Sequence, residues 1–337
     1  MPDTHLTEAD VRRLLDSTQL CAAIETAFRD RYPSISLPPR THAELANGIF
    51  LSMSCYDRAA NALGMKLVLV RDKAHVQTPA QSQSQLHGNE TSPSAGRVQA
   101  TYLLLDPETA QPRLTIAANY LTDLRTAATS AVATKFLARN DASTLGIFGT
   151  GRLARTHLSV IPLVRNFQRV LVCGRTPSRS ADFVRQLSQN ASQEFSGLTI
   201  TAVDARTCAA ESDVLCACTS SSAPLFDGHD LRPGTHLNLV GAFRPQTREV
   251  DTHTIQRSRV VVDTYSAAWS EVGELLIPLQ EGVIKRDHLA ADLHELVSGA
   301  KQGRRSPEEI TVFKSIGCAL EDLVAAELLL AAHPMKA

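Results

Sequence analysis

The residues most suggestive of chemistry form a turn, Gly149-Thr150-Gly151-Arg152-Leu153-Ala154. They follow an apolar run, Thr144 to Phe148, and open a stretch with helical periodicity, Leu153 to Val164. A strand that ends in G-x-G-x-x-A and leads into a helix is a cradle for a pyrophosphate. The first glycine permits the tight turn, the second lets the backbone approach the phosphates, and the small third residue lets helix and strand pack closely. Free N–H groups at the helix N-terminus then face the anion. Glycine turns are common, and the flanking strand and helix supply the context that makes dinucleotide binding the expectation.

The next strand, Arg169 to Cys173, refines that expectation. Sites for NAD place an acid about 20 residues after the glycines, to hold the ribose 2′-hydroxyl. Here the strand end reads Cys173-Gly174-Arg175-Thr176-Pro177-Ser178-Arg179, with no acid. Arg175 and Arg179 suit a 2′-phosphate, and Thr176 and Ser178 can add hydrogen bonds. The alternative is a pair of solvated arginines. Two cations at a helix start oppose the helix dipole, however, so an anion between them makes sense. The expected cofactor is therefore NADP(H), with NAD(H) as the second candidate.

The elements that must position these residues follow from the hydrophobic pattern. Strands at Leu198 to Val203, Asp213 to Cys218, His236 to Val240 and Val260 to Asp263 continue the series, with a helix over Thr176 to Leu187. Strand–helix alternation implies a parallel sheet covered on both faces, a doubly wound α/β (Rossmann) nucleotide domain. The N-terminal part has a different texture. Thr7-Glu8-Ala9-Asp10 is a helix start, a second helix runs near Leu20 to Arg29, and strands are expected at Ile49 to Met53, Gly64 to Val70 and Ala100 to Leu105. A helix over Leu121 to Asn140 joins the two textures. The change of texture near Leu121 separates an N-terminal region of helices and strands from the nucleotide domain. The Gln- and Ser-rich stretch Arg71 to Arg97 reads as a long loop, either an insertion or a flap over a ligand site. The apolar stretch Leu323 to Ala332 reads as a helix that packs on a core or a partner.

Composition excludes several classes. The 337 residues are 43% apolar and 20% charged, with a formal net charge of −1. No general attraction to nucleic acid or anionic membrane follows. The seven cysteines form no CxxC pair, which argues against a zinc site and a disulfide framework. The eleven histidines show no HxxxH or HExxH spacing, so no metal is expected; His157 and His236 read as structural residues. Met1 to Asp16 lacks the features of a signal peptide, and no apolar run reaches the ~18 residues of a membrane span. A cytoplasmic protein with reduced thiols is the expectation.

Further motifs occur in a fixed order: Leu121 to Ala131, Gly149 to Ala154, His236 to Pro245, Arg248 to Asp251, Gly273 to Leu279 and Ile310 to Gly317. With them the chain resembles the ornithine cyclodeaminase/mu-crystallin family over almost its whole length. The resemblance implies a two-domain subunit, with an α+β substrate-binding and dimerisation domain over residues 1–125 plus 311–337 and a Rossmann nucleotide domain over 126–310, and a homodimer acting on small amino or imino acids. It implies that Arg40, Lys66 and Arg125 are basic substrate residues, with Lys66 stabilising charge or donating a proton through water. It implies that Thr126, Thr219, Ser220, Val240, Gly241 and Ser315 lie at the cofactor. The residues alone leave Lys66, within Gly64-Met65-Lys66-Leu67-Val68, as either a solvent-facing strand-edge cation or a site cation. Arg125 alone, at the opening of an alanine-rich helix, reads as a surface cation.

One departure bears on the reaction. Ornithine cyclodeaminases and the related alanine dehydrogenase carry an aspartate two residues after the glycine of the fifth-strand motif, where this chain has Phe243. Phenylalanine cannot move a proton or stabilise an ammonium. Ketimine reductases of the mu-crystallin type also lack that aspartate. The expectation is NAD(P)H-dependent reduction of Δ1-pyrroline-2-carboxylate or Δ1-piperideine-2-carboxylate to proline or pipecolate, with Phe243 as an apolar wall for the ring. The alternatives are an ornithine cyclodeaminase, an amino-acid or opine-type dehydrogenase, and a non-catalytic NADPH-binding protein.

Overall fold

The computed structural model describes residues 5–71, 98–189, 195 and 197–333. The flap expected at Arg71 to Arg97 thus lies, beyond Arg71 itself, outside the described residues. Contacts divide the chain into two compact units: Met1–Asp16, Pro33–Thr122 and Ala319–Ala337 in one, Ser17–Tyr32 and Asp123–Cys318 in the other.

The first unit is built on a mixed sheet. Its central strands β4 (Gly48–Asp57), β5 (Ala62–Arg71), β6 (Val98–Leu105) and β7 (Pro112–Ala117) pair antiparallel in sequence order. β1 (His5–Leu6) adds parallel to β7, while β2 (Ile35–Ser36) and β3 (Thr41–Leu45) pair with β4. Along β5 buried and half-buried residues alternate strictly, as the two-residue period of a strand requires. The C-terminal helix α11 (Ala319–Ala332) packs on β4, β5 and β6. The other row of β5, Leu63, Met65, Leu67 and Leu69, is apolar and only half buried. Thr7 caps α1 (Glu8–Leu14) in a capping box with Asp10. The carboxylate of Glu8 then accepts from the backbone of Asn119 and Tyr120.

The second unit holds an eight-stranded sheet in which every pairing is parallel. Its strands are β8 (Thr144–Phe148), β9 (Arg169–Cys173), β10 (Thr199–Ala202), β11 (Val214–Ala217), β12 (His236–Leu239), β13 (Ser258–Val262), β14 (Leu289–Asp292) and β15 (Ile310–Lys314). The order is β10-β9-β8-β11-β12-β15-β13-β14. The direction of winding reverses between β8 and β11, and ligands of such sheets bind in the crevice outside the strand ends at that switch point. Phe148, Leu171, Leu215, Leu237, Val260 and Val312 belong to one buried cluster, as expected of a sheet covered on both faces.

Two segments group differently from the expected division. Ser17–Tyr32, which contains α2 (Ser17–Thr26), joins the nucleotide unit, where the backbone oxygen of Phe28 meets Nδ1 of His294 at 2.7 Å. Residues 311–318 stay with that unit because β15 lies between β12 and β13. Elsewhere helix ends moved. The helix expected over Leu153 to Val164 is α4 (Arg152–Val160), followed by a 3-10 turn at Ile161–Leu163 that contains Pro162. The helix expected from Leu121 is α3 (Asn119–Leu137).

Candidate active site

The glycine turn leaves β8 at the switch point. Gly149 has φ +114°, a conformation that favours glycine, and a β-carbon there would lie 2.5 Å from the carbonyl oxygen of Cys218 at the end of β11. At Gly151, the N-cap of α4, a β-carbon would meet nothing within 4 Å. Protein packing does not demand a glycine at 151; the open space beside it is what a pyrophosphate needs. No side chain caps α4, so its first N–H groups remain available to an anion. Ala154 is fully buried, as close helix–strand packing requires. These features fit the phosphates of a dinucleotide. Thr150 is half buried beside Gly174, where a β-carbon would come 2.9 Å from Thr150 Cγ2. Leu153 is half buried, and Arg152 is exposed with Nε 3.1 Å from Asp123 Oδ2.

At the end of β9, Arg175, Thr176 and Arg179 are exposed. Thr176 Oγ1 accepts from the backbone of Arg179 at 3.4 Å, at the start of α5 (Pro177–Gln189). Gly174 donates its N–H to Ser180 Oγ at 2.7 Å, which draws the turn against the helix.

The ends of β11 and β12 are tied by a residue the sequence reading did not single out. Glu249 is fully buried. Its Oε1 accepts from the N–H and the hydroxyl of Thr219, at 2.9 and 2.7 Å. Its Oε2 accepts from the N–H groups of Gly241 and Ala242, at 2.7 and 3.3 Å. Burial pushes this carboxyl up to about 7, with the Lys314 ammonium and the Thr219 donors pulling the other way. Ser220 is exposed, and Val240 and Phe243 are half buried. The Glu249 carboxylate, which accepts from the residue that precedes Phe243, is thus already occupied by four protein donors.

Arg125 is buried, contrary to the surface cation its local sequence suggests, and sits within α3 rather than at its opening. A β-carbon at Gly317 would lie 2.7 Å from Arg125 Nη1 and 2.9 Å from Nη2, so the arginine lies against the turn after β15. That turn is held by Asp263, whose Oδ2 accepts from the N–H groups of Ile316 and Gly317 at 2.8 and 2.7 Å. The Ser315 hydroxyl is buried 3.4 Å from the same oxygen.

In the first unit, Lys66 lies on β5 between β4 and β6, so the strand-edge reading fails. It is buried, opposite Met53 and Tyr102, and pairs with Asp322 of α11. Arg40 is half buried just before β3. Among the described residues no group of acids, histidines and cysteines is placed to hold a metal, and no helix is long and apolar enough to cross a membrane. His157 and His236 are buried and hydrogen-bonded to Ser130 and Thr311. All seven cysteines are free thiols, six of them buried and Cys21 half buried.

The chain is 32% identical to a Δ1-pyrroline-2-carboxylate reductase of Bacillus cereus, over 94% of this chain and 93% of that protein. The Thermococcus litoralis Δ1-pyrroline-2-carboxylate reductase, solved with NADH and L-proline, superposes with a TM-score of 0.86 at 35% identity, covering 98% of this chain and 97% of the other. An archaeal alanine dehydrogenase dimer with bound NAD superposes at 0.84 with 27% identity, covering 98% and 96%. The model of the ornithine cyclodeaminase/mu-crystallin family matches residues 3–332, and the chain belongs to that family.

Proposed function

We propose that this protein is a nicotinamide-dependent reductase of small cyclic imino acids, converting Δ1-pyrroline-2-carboxylate to proline or Δ1-piperideine-2-carboxylate to pipecolate. The observation that carries this reading is Phe243. At the strand end where cyclodeaminases and alanine dehydrogenase need a proton-handling acid, this chain presents an apolar ring, and the nearby Glu249 is spent on four backbone and hydroxyl donors. Reduction of a preformed C=N bond needs no such acid. The similarity to two Δ1-pyrroline-2-carboxylate reductases supports it.

A bound nicotinamide supplies a hydride to the imine carbon, while the nitrogen takes one proton, leaving a secondary amine. The protein's part is to bind and orient. Arg125 and Arg40 are assigned to the substrate carboxylate, which a guanidinium grips with two parallel hydrogen bonds. Lys66 is assigned to the imine nitrogen, directly or through water, with Asp322 holding the ammonium. Phe243 walls the ring and excludes water. Gly149, Thr150, Gly151, Arg152, Leu153 and Ala154 take the pyrophosphate, Gly174, Arg175, Thr176 and Arg179 the adenosine ribose. Thr126, Thr219, Ser220, Val240, Gly241 and Ser315 take the nicotinamide half. The absence of an acid after β9, with Arg175 and Arg179 exposed there, favours NADP(H) over NAD(H). The half-buried row Leu63, Met65, Leu67 and Leu69 suits a second copy of the chain, hence a homodimer. Free thiols throughout fit a reducing cytoplasm.

The test is the oxidation of NADPH and of NADH with each imine, run beside ornithine with oxidised nucleotide. Imine-dependent oxidation without ammonia release from ornithine supports the reductase. Ammonia from ornithine, with no imine turnover, would replace it with the cyclodeaminase.

A further inference from the structure

Thr219 and Gly241 leave the ends of neighbouring parallel strands, and Glu249 spans them with four accepted hydrogen bonds. The approach leaves no room for a side chain at 241, where a β-carbon would overlap the carbonyl oxygen of Thr219. Behind Glu249 lies a second buried pair. Glu274 Oε1 accepts from the Glu249 N–H at 3.1 Å and lies 3.3 Å from Lys314 Nζ. Lys314 Nζ in turn donates to the carbonyl of Ala242 at 2.6 Å. Glu249, Glu274 and Lys314 are each at most 1% exposed. Two carboxyl groups and one amine withdrawn from water are costly unless close pairing and hydrogen bonds offset the cost, as the contacts here do. Here they link β11, β12, β15 and α9 (Gly273–Gln280) at the strand-end side of the sheet.

We infer that Glu249 is a positioning residue for the nicotinamide half of the cofactor site. Its carboxylate locks the Thr219 and Gly241 backbones into one rigid shelf, and Lys314 with Glu274 locks Glu249. The inference rests on the nicotinamide-dependent reading above, which assigns Thr219 and Gly241 to that half. The chemistry requires a carboxylate. An ionised glutamate is acceptor-only and can receive all four donors, whereas a glutamine must turn its NH2 toward one pair of them. Either orientation opens one side of the shelf and leaves buried N–H or O–H groups unpaired.

The experiment uses the full chain and Glu249→Gln. It compares binding of the reduced nucleotide that the wild type prefers, NADPH or NADH, with binding of the matching fragment that lacks nicotinamide, 2′,5′-ADP or ADP. The expected result is a dissociation constant for the reduced nucleotide raised about tenfold, with the fragment unchanged and the KM for the imine little altered. A purely structural role would shift both ligands together or neither, and either outcome overturns the inference. Should Glu249→Gln not fold, Thr219→Val removes the hydroxyl that donates to Glu249 and accepts from the Ser221 N–H, and tests the same point. About a threefold loss confined to the reduced nucleotide is then expected, and no loss overturns it. If the wild type itself binds neither reduced nucleotide, the proposed function falls and the inference with it; binding by the wild type with an indifferent variant removes the inference alone.

Discussion

Lys66 and Asp322 form a fully buried ion pair, with Nζ 2.9 Å from Oδ1 and 2.8 Å from Oδ2. The lysine comes from the middle of a sheet and the aspartate from the first turn of a helix 256 residues later. Such a pair fixes the position of the lysine side chain within the buried face of the sheet. Removing either partner breaks a buried ion pair, at about 3–5 kcal/mol. Asp322→Asn should therefore lower both the unfolding free energy and imine turnover, whereas Lys66→Met with Asp322→Leu should recover stability without activity. Urea unfolding beside the reductase assay checks this. A double variant as unstable as Asp322→Asn, or one that still turns over, would contradict it.

The contact between Arg125 and the 315–317 turn gives a second prediction. Gly317 has φ +89°, and any side chain there meets the guanidinium. Gly317→Ala should cost about 1–3 kcal/mol in backbone strain and displace Arg125. Expected is a loss of kcat/KM for the imine of more than about tenfold, with nucleotide binding kept. Arg125→Ala should abolish turnover. Full activity in Arg125→Ala would refute the assignment of the carboxylate clamp.

Cofactor choice is tested at the end of β9. In the proposed reading Arg175 and Arg179 make two charge-assisted contacts to a 2′-phosphate, and alanine at both positions would remove them. The KM for NADPH should rise about ten- to a hundredfold while that for NADH stays nearly constant. An equal rise for both would mean that these arginines only orient the loop.

Phe243→Asp should leave nucleotide affinity unchanged, since Phe243 lies beyond the Gly241 backbone that faces the cofactor in our reading. Imine reduction should fall, because a carboxylate there repels the substrate carboxylate and wets the wall. Nucleotide titration and steady-state rates together decide it; a lost nucleotide affinity would move Phe243 into the cofactor site.

The buried histidines predict a pH dependence. Burial holds His157 down to about 4, and it is hydrogen-bonded to Leu153 and Ser130 in the neutral form. An unfolded histidine, near 6.5, binds a proton that the folded one refuses, so its stabilising contribution is complete above about 6.5 and is lost as pH falls toward about 4. The stability gap between wild type and His157→Gln should accordingly shrink across that window. A gap constant from pH 7 to 4 would mean that His157 is charged in the fold.

The sequence carried the nucleotide unit well because its signals are local. The glycines of 149–151, the small Ala154 and the short apolar strands each obey rules that span a few residues. β15 was harder to place: Ile310–Lys314 inserts between β12 and β13, and no local pattern says where a strand enters a sheet. The same holds for the site. Glu249 lies in a stretch whose motif was visible, but its meaning is four hydrogen bonds to strand ends 30 and 8 residues away. Asp263 and Asp322 escaped for that reason too. A buried acid reads as a surface acid until its partner is known. Local sequence likewise made Arg125 a surface cation, because an alanine-rich helix does not announce that it is buried.

In the proposed reaction a hydride reaches the carbon of a preformed imine. The direct measurement is the proline formed from Δ1-pyrroline-2-carboxylate with reduced nucleotide deuterated at C4. The expected product is proline carrying one deuterium at Cα, with no ammonia released. No proline, or proline free of label from nucleotide fully deuterated at C4, would contradict it.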